Sequence, residues 1–377
     1  LNNILFENDY ILSVGAGKNQ LPLIKAIKKY GYKVISCDKN PEAEGKSISN
    51  IFLNISSHEP ENIIIELGLL NVKPKAVLTR STGIPVVTCA IIADSFNLSA
   101  LDIATSKLLI HKNKFTTNNN KLNIPSPKLF CKEHLQDISF PVFIKPAYTV
   151  VSHAAMSVCH KFDDLAPAIA SAKAVSTDGS VNIEEYLIGN DIASIDFVQN
   201  KKIQHLVSIG EISTGAPHFD GLGWYTLDRT TSDIASSSFA TLKHKLNLSH
   251  GFFQTAMKYN SIEKTAKIYE IHAEIGGDLV NDVFIPHITN GYDIFKNNIS
   301  LSLNEKLDSC TKVIKFAIIL FRKKIKQYNL SIPKHTYVQA VEHKDYLTFD
   351  FNSQKDLNKY LYNLTSQKNV SITNREN

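Results

Sequence analysis

The sequence predicts a multi-domain protein of α/β plus α+β class, and three observations carry that prediction. The chain has 377 residues, 43% of them hydrophobic and 20% charged, which is enough for two or three cores because one core stops growing near ~300 residues. Its N-terminal part alternates strand, glycine turn, helix and strand, the start of a parallel βαβ unit. Farther on, short strand-like runs follow one another with a single helix among them, which suits antiparallel pairing.

Residues 10–14 read as a buried strand, Gly15-Ala16-Gly17 as a turn, and 21–30 as a helix with Leu23, Ile24 and Ile27 near one face. Gly31 ends that helix, and 32–37 is the next strand, leading to Asp38. Two glycines after a strand and a later acid invite a dinucleotide fingerprint, but the third glycine place holds Gln20, so a structural α/β unit is the better account. Residues 75–79 and 85–96 continue it as strand and helix. A Lys- and Asn-rich helical stretch over 104–121 is stopped by Asn123, Pro125 and Pro127.

Strands are expected at 142–144, 156–159, 181–184, 192–198 and 203–208, with a helix at 163–174 and a hairpin connection at Gln199-Asn200. Residues 210–230, with Gly215, Pro217, Gly221, Gly223 and Trp224, are expected to form a long excursion facing substrate. A strand over 267–275, the Gly276-Gly277 turn and a helix over 278–288 follow. The tail from 311 is expected to supply a helix, strands near 337–341 and 346–351, and a final helix at 355–364.

Composition removes several classes of function. The net charge of +5 is spread along the chain, and the one dense basic group, Arg322, Lys323, Lys324 and Lys326, has no stacking aromatics interleaved, so it reads as a solvated helix face rather than a nucleic-acid stripe. Five widely spaced cysteines make neither a metal motif nor a disulfide framework. The most membrane-like run, 313–321, contains Lys315 and falls far short of the ~20 residues of a span. With no signal-like N-terminal pattern, a cytoplasmic protein without a membrane partner is the expectation.

Two lysines sit at defined places: Lys112 early in a helical segment, and Lys145 at the end of Phe-Pro-Val-Phe-Ile-Lys-Pro, where a strand terminus fixes the base of a side chain that can meet a phosphate oxygen. The segment from Val181 through Glu184, Glu185, Tyr186 and Leu187 to Asp191 is strand, polar turn and strand. At a pocket edge its backbone could meet an adenine and its acids ribose hydroxyls; otherwise it is an exposed hairpin end. Glu270, His272 and Glu274 alternate with apolar residues, so period-2 geometry puts them on one strand face, where carboxylates could hold Mg²⁺. Asp278 is explained by helix capping.

Taken in order, Lys112, Asn123-Ile124-Pro125, Phe140 to Pro146, Glu184 to Asp191, Glu270-Ile271-His272 and Gly276-Gly277-Asp278 resemble the motifs of the ATP-grasp superfamily, and Gly15-Ala16-Gly17 with Asp38 and Pro41 resembles the pre-grasp domain of its carboxylate-amine ligases. The resemblance implies a pre-grasp α/β domain over 1–105, an ATP-grasp region of two lobes enclosing a nucleotide over 106–305, and an α/β extension over 306–377. It implies ATP and Mg²⁺ as cofactors, with Lys112 and Lys145 on phosphates, Glu184, Glu185 and the Tyr186-Leu187 backbone at adenine, Asp191 at ribose and Glu270 on magnesium. Such enzymes activate a carboxylate as an acyl phosphate, which an amine then attacks, releasing ADP and phosphate. Small-molecule carboxylates and amines, amino acids among them, are the implied substrates, and a homodimer is compatible with the reading.

The sequence departs from the family pattern in three places. The loop after Lys145 has no glycine, leaving side chains such as Ser152 as donors. The position of the first magnesium carboxylate is Ala256. Glu274 stands where the family carries an arginine, so Lys145, Lys258 and Glu274 become the candidate catalytic groups and Glu270 with Glu274 the candidate metal pair. These departures leave as the alternative a homologue that binds nucleotide for a regulatory or structural role. For the acceptor pocket the sequence offers Trp224, Tyr225 and His218, and for a carboxylate clamp Arg80 and Arg229.

Overall fold

The computed structural model describes residues 9–130, 138–149, 155–277, 279–309, 312–333 and 337–366. Three sheets organise them. The first is parallel and four-stranded, in the order β3-β2-β1-β4, from Tyr10–Val14 (β1), Lys33–Cys37 (β2), Ile51–Leu53 (β3) and Ala76–Thr79 (β4). Its strands are short apolar runs covered by helices Leu21–Lys29, Pro60–Leu69 and Ile84–Ser95, as a parallel sheet buried on both faces requires. Gln20, in the third glycine place, is buried and donates to the Arg80 carbonyl at 3.1 Å and the Ser81 hydroxyl at 2.8 Å. It closes the turn by packing.

The second sheet is antiparallel and three-stranded, β6-β5-β7, from Val142–Pro146 (β5), Ser157–Cys159 (β6) and Val181–Glu185 (β7), backed by helix Leu165–Val175. The third is antiparallel and eight-stranded, in the order β12-β11-β8-β9-β10-β13-β15-β14. It contains Asn190–Gln199 (β8), Lys202–Ser213 (β9), Gly221–Thr226 (β10), Gly251–Asn260 (β11), Thr265–His272 (β12), Phe316–Phe321 (β13), Gln339–Glu342 (β14) and Tyr346–Phe351 (β15). Helix Arg229–Lys245 covers one face, with Ala235, Phe239 and Leu242 against Phe253, Met257, Ile268 and Ile271. The C-terminal strands join this same sheet, and helix Gln354–Thr365 buries Leu357, Tyr360 and Leu364 over them.

Several local expectations are corrected. The helical stretch over 104–121 is two helices, Ile103–Leu109 and Lys112–Lys121, because extended His111 caps the second. The 210–230 excursion is a hairpin: β9 runs on to Ser213 and β10 starts at Gly221, leaving 214–220 as the loop. The β8–β9 turn falls at Asn200-Lys201, both at positive φ (51° and 65°), which matches the right-handed strand twist. The helix expected from 311 is instead β13 followed by helix Arg322–Gln327, since the apolar run 317–320 is wholly buried. The expected strand over 267–275 stops at His272, and 278–288 is a π turn over Val280–Phe284 running into Ile285–Ile288, with Asp278 outside the described residues. Among the described residues no helix is long and apolar enough to cross a membrane.

Candidate functional site

A cleft opens where the three-stranded sheet faces the strands β8, β11 and β12. On the first wall, β5 presents Phe143 and Lys145 on one face by strand alternation. Lys145 is buried, its Nζ 2.6 Å from the Oε1 of buried Glu184 on β7, and its ammonium also lies over the rings of Phe143 (6.0 Å) and Tyr269 (5.8 Å). Asn182 donates to the other Glu184 oxygen at 3.3 Å. The Lys112 N–H donates to the Ala147 carbonyl at 3.0 Å, which ties the start of helix Lys112–Lys121 to the end of β5 and brings both lysines to one place.

The opposite wall depends on a break in strand alternation. Across β11 and β12, Ala256 pairs with Glu270 but Met257 pairs with Ile268, so Tyr269 is an extra residue, a β-bulge. Before the bulge Ala266 and Ile268 point into the core; after it Ile271 does. The sequence reading put Glu270, His272 and Glu274 on one face of a regular strand, which would have been the face of Ala266 and Ile268. The bulge turns Glu270 and His272 to the cleft instead, with Lys267 and Tyr269. Glu274 lies past the strand end, at a bend.

The charges of the cleft are paired. Lys112 Nζ lies 2.6 Å from Glu270 Oε1, Lys258 Nζ 2.8 Å from Asp191 Oδ2, and Lys267 Nζ 2.6 Å from Glu185 Oε1. The Tyr269 hydroxyl donates to Asp191 Oδ1 at 3.2 Å. His272 sits between two acids, Nε2 at 3.8 Å from Glu270 and Nδ1 at 3.4 Å from Glu274. On Lys112, Glu270 and His272 burial works against charge, but their mutual attraction outweighs it. Burial opposes the Lys112 ammonium, yet Glu270 holds its pKa above the ordinary value. Glu270, against the same burial, is held well below the usual carboxylate range by Lys112, His272 and Lys145. His272, again against burial, is raised to about 9 by Glu270 and Glu274.

Between the walls, β7 passes into β8. Tyr186 and Leu187 there make no main-chain hydrogen bond among the described residues, so their N–H and carbonyl groups remain free at the cleft edge. Gly189, at φ 142°, permits the crossing because a Cβ there would fall 2.2 Å from the Tyr259 carbonyl oxygen. The β9–β10 loop reaches over the cleft: Phe219 packs edge-on against Phe143 at 5.3 Å, and Phe143 lies 6.4 Å from Tyr186.

Of the sequence candidates, the structure brings Lys112, Lys145, Glu184, Glu185, Tyr186, Leu187, Asp191, Lys258 and Glu270 to this cleft, with Glu274 at its inner end. Ser152 lies outside the described residues. Trp224 and Tyr225 do not line an acceptor pocket; both are buried in core clusters. His218 is exposed, its ring 5.9 Å from that of Tyr328. Arg229 points to solvent with a side chain 95% exposed. Arg80 is buried and spends its donors on the carbonyls of Gly276 and Asn19 and on Asp282. It joins two parts of the protein rather than awaiting a carboxylate. Phe219, Tyr269 and Lys267 were missed: a lone loop aromatic carries no pattern, and Lys267 and Tyr269 stand on the strand face opposite the one the sequence reading gave to Glu270, His272 and Glu274.

No family model matches the chain. It is 27% identical over 187 residues, 44% of its length, to the large chain of carbamoyl phosphate synthase from Clostridium acetobutylicum. It is 26% identical over 213 residues, 50% of its length, to the C-terminal section of that large chain from Methanopyrus kandleri. The matches span 16% and 38% of those proteins' own lengths. Among solved structures, the L-amino acid ligase from Bacillus licheniformis superposes with a TM-score of 0.70 at 14% identity, over 96% of this chain and 98% of that one. The ADP complex of N5-carboxyaminoimidazole synthetase from Staphylococcus aureus superposes with a TM-score of 0.70 at 13% identity, over 96% and 98%. All of these belong to the ATP-grasp superfamily of carboxylate-amine ligases, and this chain has the ATP-grasp fold, as its ordered motifs led one to expect.

Proposed function

We propose that the chain is an ATP-dependent ligase that activates a small-molecule carboxylate as an acyl phosphate and joins it to an amine, with release of ADP and phosphate. The observation that carries this reading is the convergence of Lys145, Lys112 and Lys258, from β5, a helix start and β11, on one cleft between two sheets. The ligases and the ADP complex that share the fold support it.

In this reading the base rests against Phe143 and Phe219 with its edge on the free backbone groups of Tyr186 and Leu187, and Glu184 and Glu185 border that pocket. Asp191 accepts from ribose hydroxyls. Lys145 and Lys112 exchange a carboxylate partner for phosphate oxygens, a charge-assisted contact of the same kind. Lys258, beside Asp191, adds positive charge where phosphoryl oxygens gather. Ionised Glu270 on the cleft wall fits Mg²⁺, which is commonly held by one or two carboxylates together with phosphates and waters. When bound there, Mg²⁺ would neutralise charge on the transferring phosphoryl group. Glu274, separated from Glu270 by His272, is better placed for the second substrate than for the same ion. Amino acids are the first substrates to test, and the pre-grasp, grasp and C-terminal units at 1–105, 106–305 and 306–377 are the domains of this reading.

The test is ADP formation by the purified chain with ATP, Mg²⁺ and mixtures of amino acids, alongside calorimetric titration of ATP. Amino-acid-dependent ADP release is the expected result. Saturable ATP binding with no release under any mixture would leave a nucleotide-binding homologue, and no binding at millimolar ATP would overturn the reading altogether.

A further inference from the structure

The loop that carries Phe219 over the cleft is held from behind by a helix of the C-terminal part of the chain. Residues 214–220 join β9 to β10, and side chains alternate in direction about Phe219. Phe219 turns to Phe143 and the cleft, while its two neighbours turn to helix Arg322–Gln327 and to Tyr328, which ends that helix. The His218 ring lies 5.9 Å from that of Tyr328. One oxygen of Asp220, Oδ2, takes three donors: the Lys324 ammonium at 2.7 Å, the Gln327 amide at 3.4 Å and the Tyr328 hydroxyl. Burial and this last hydrogen bond push the Tyr328 phenol up to about 12, so it keeps its proton.

Phe219 needs such holding. Its φ of 53° lies in the left-handed region, which glycine accepts and a bulky side chain avoids. The turn is locked around it: the Phe219 N–H donates to the Gly215 carbonyl at 2.7 Å, the Asp220 N–H to the Thr214 hydroxyl at 3.0 Å, and the Thr214 N–H to the Asp220 carbonyl at 3.0 Å. Backbone strain of this kind persists only where surrounding contacts over-determine it, and it gathers at ligand clamps. Released from its anchor, the loop would relax to an ordinary φ and carry the ring off Phe143. The helix that supplies the anchor is itself fixed, since Arg322 donates to the His343 carbonyl and to Glu342 of β14, both at 2.6 Å, and Ile325 and Tyr328 pack on the apolar cluster beneath. Within the dense basic group that the sequence presents as a solvated face, Lys324 therefore has a partner in another part of the chain.

We propose that Asp220 is a positioning residue for the nucleotide: clamped by Lys324, Gln327 and Tyr328, it holds Phe219 against Phe143 as one wall of the base pocket, so that helix Arg322–Gln327 sets how tightly the base is bound. The proposal rests on the reading of the cleft as an ATP site. Its effect falls on the base and not on the phosphates, because Lys112, Lys145 and Lys258 are paired with Glu270, Glu184 and Asp191 on other elements.

Calorimetric titration of the full chain with ATP, adenosine and inorganic tripolyphosphate in excess Mg²⁺ tests it. Asp220→Ala should weaken ATP and adenosine by the same factor, about three- to tenfold, the worth of one aromatic contact, and leave tripolyphosphate unchanged. Phe219→Ala should do the same, and the double variant should bind no more weakly than Phe219→Ala, because Asp220 acts only through that ring. Tyr328→Phe removes a single hydroxyl from the anchor and keeps its packing, so it should lose less in the same pattern and decides the matter if Asp220→Ala folds poorly. Unchanged adenosine and ATP affinity in both anchor variants, an equal loss for tripolyphosphate, or additive losses in the double variant would each overturn the proposal. Failure of ATP and adenosine to bind the wild-type chain would refute the ATP reading instead. Amide hydrogen exchange then decides the anchor without nucleotide: the Phe219 and Asp220 amides should exchange at least about tenfold faster in Asp220→Ala, and an unchanged rate would show that Asp220 does not hold the loop.

Discussion

Arg80 and Lys145 are both cations at strand ends, 6% and 4% exposed, each against an acid. Arg80, after β4, uses its guanidinium on two backbone carbonyls and Asp282, with Phe295 5.3 Å beneath it. Lys145, on β5, meets one carboxylate oxygen and two ring faces. A planar fork with its donors taken by fixed backbone groups holds a joint together. A point charge with one acidic partner can trade that partner for a ligand. Buried ion pairs add little net stability over apolar packing, so a lysine kept in such a pair points to a use beyond folding.

The largest effect that would sharpen this contrast is on stability at the joint. Arg80→Met should cost ~3–5 kcal/mol, because Asp282 and the carbonyls of Gly276 and Asn19 lose their partner together. Thermal denaturation reads it, and a change within experimental error would mean that the joint is not held by this side chain. Lys145→Met should act mainly on ligand: ATP binding falls by ~1.5–3 kcal/mol while adenosine, which has no phosphates, is nearly unaffected. The double variant Lys145→Met/Glu184→Leu should recover stability lost by the single one but not ATP binding, and recovery of both would erase the contrast with Arg80.

A third, smaller effect follows from His272. Its folded pKa is raised from 6.5 to about 9, so its contribution to stability is complete below about pH 6.5 and lost as pH rises through about 9. The stability difference between wild type and His272→Asn should therefore shrink across that window, and an NMR titration of the imidazole should give a midpoint near its upper end. A midpoint near the ordinary value would show that Glu270 and Glu274 do not hold the ring. The smallest effect is a gain. Ala256→Glu puts a second carboxylate directly across from Glu270 in the β11–β12 register, and roughly a few-fold less Mg²⁺ should then suffice for tight ATP binding in calorimetry.

Much of this site was legible in the sequence, for a local reason. Lys145 follows an apolar strand, Asp191 opens one, and Glu270 lies within one, so each charge was marked by the regular element that carries it. The same logic failed where two chain segments had to agree. An excursion was expected over 210–230, where glycines in fact accommodate close pairing: a Cβ on Gly223 would fall 2.0 Å from the Ile319 carbonyl oxygen, and the strand β13 that forces this approach is about a hundred residues away. Arg80 looked like a free clamp because its partners, Asn19, Gly276 and Asp282, lie in distant parts of the chain.

By itself the sequence determined the class of fold and the order of its motifs, because apolar periodicity and the residues that end strands and helices are properties of neighbours along the chain. Tertiary structure alone decided which face of β12 looks into the cleft. A single bulge at Tyr269 reverses the alternation, and its position is set by register against β11, a pairing that no local pattern encodes. That reversal delivers Glu270 to Lys112 and His272 to both of its acids. Without it, the same residues would lie among the core side chains of Ala266 and Ile268, where their charges would have no partners.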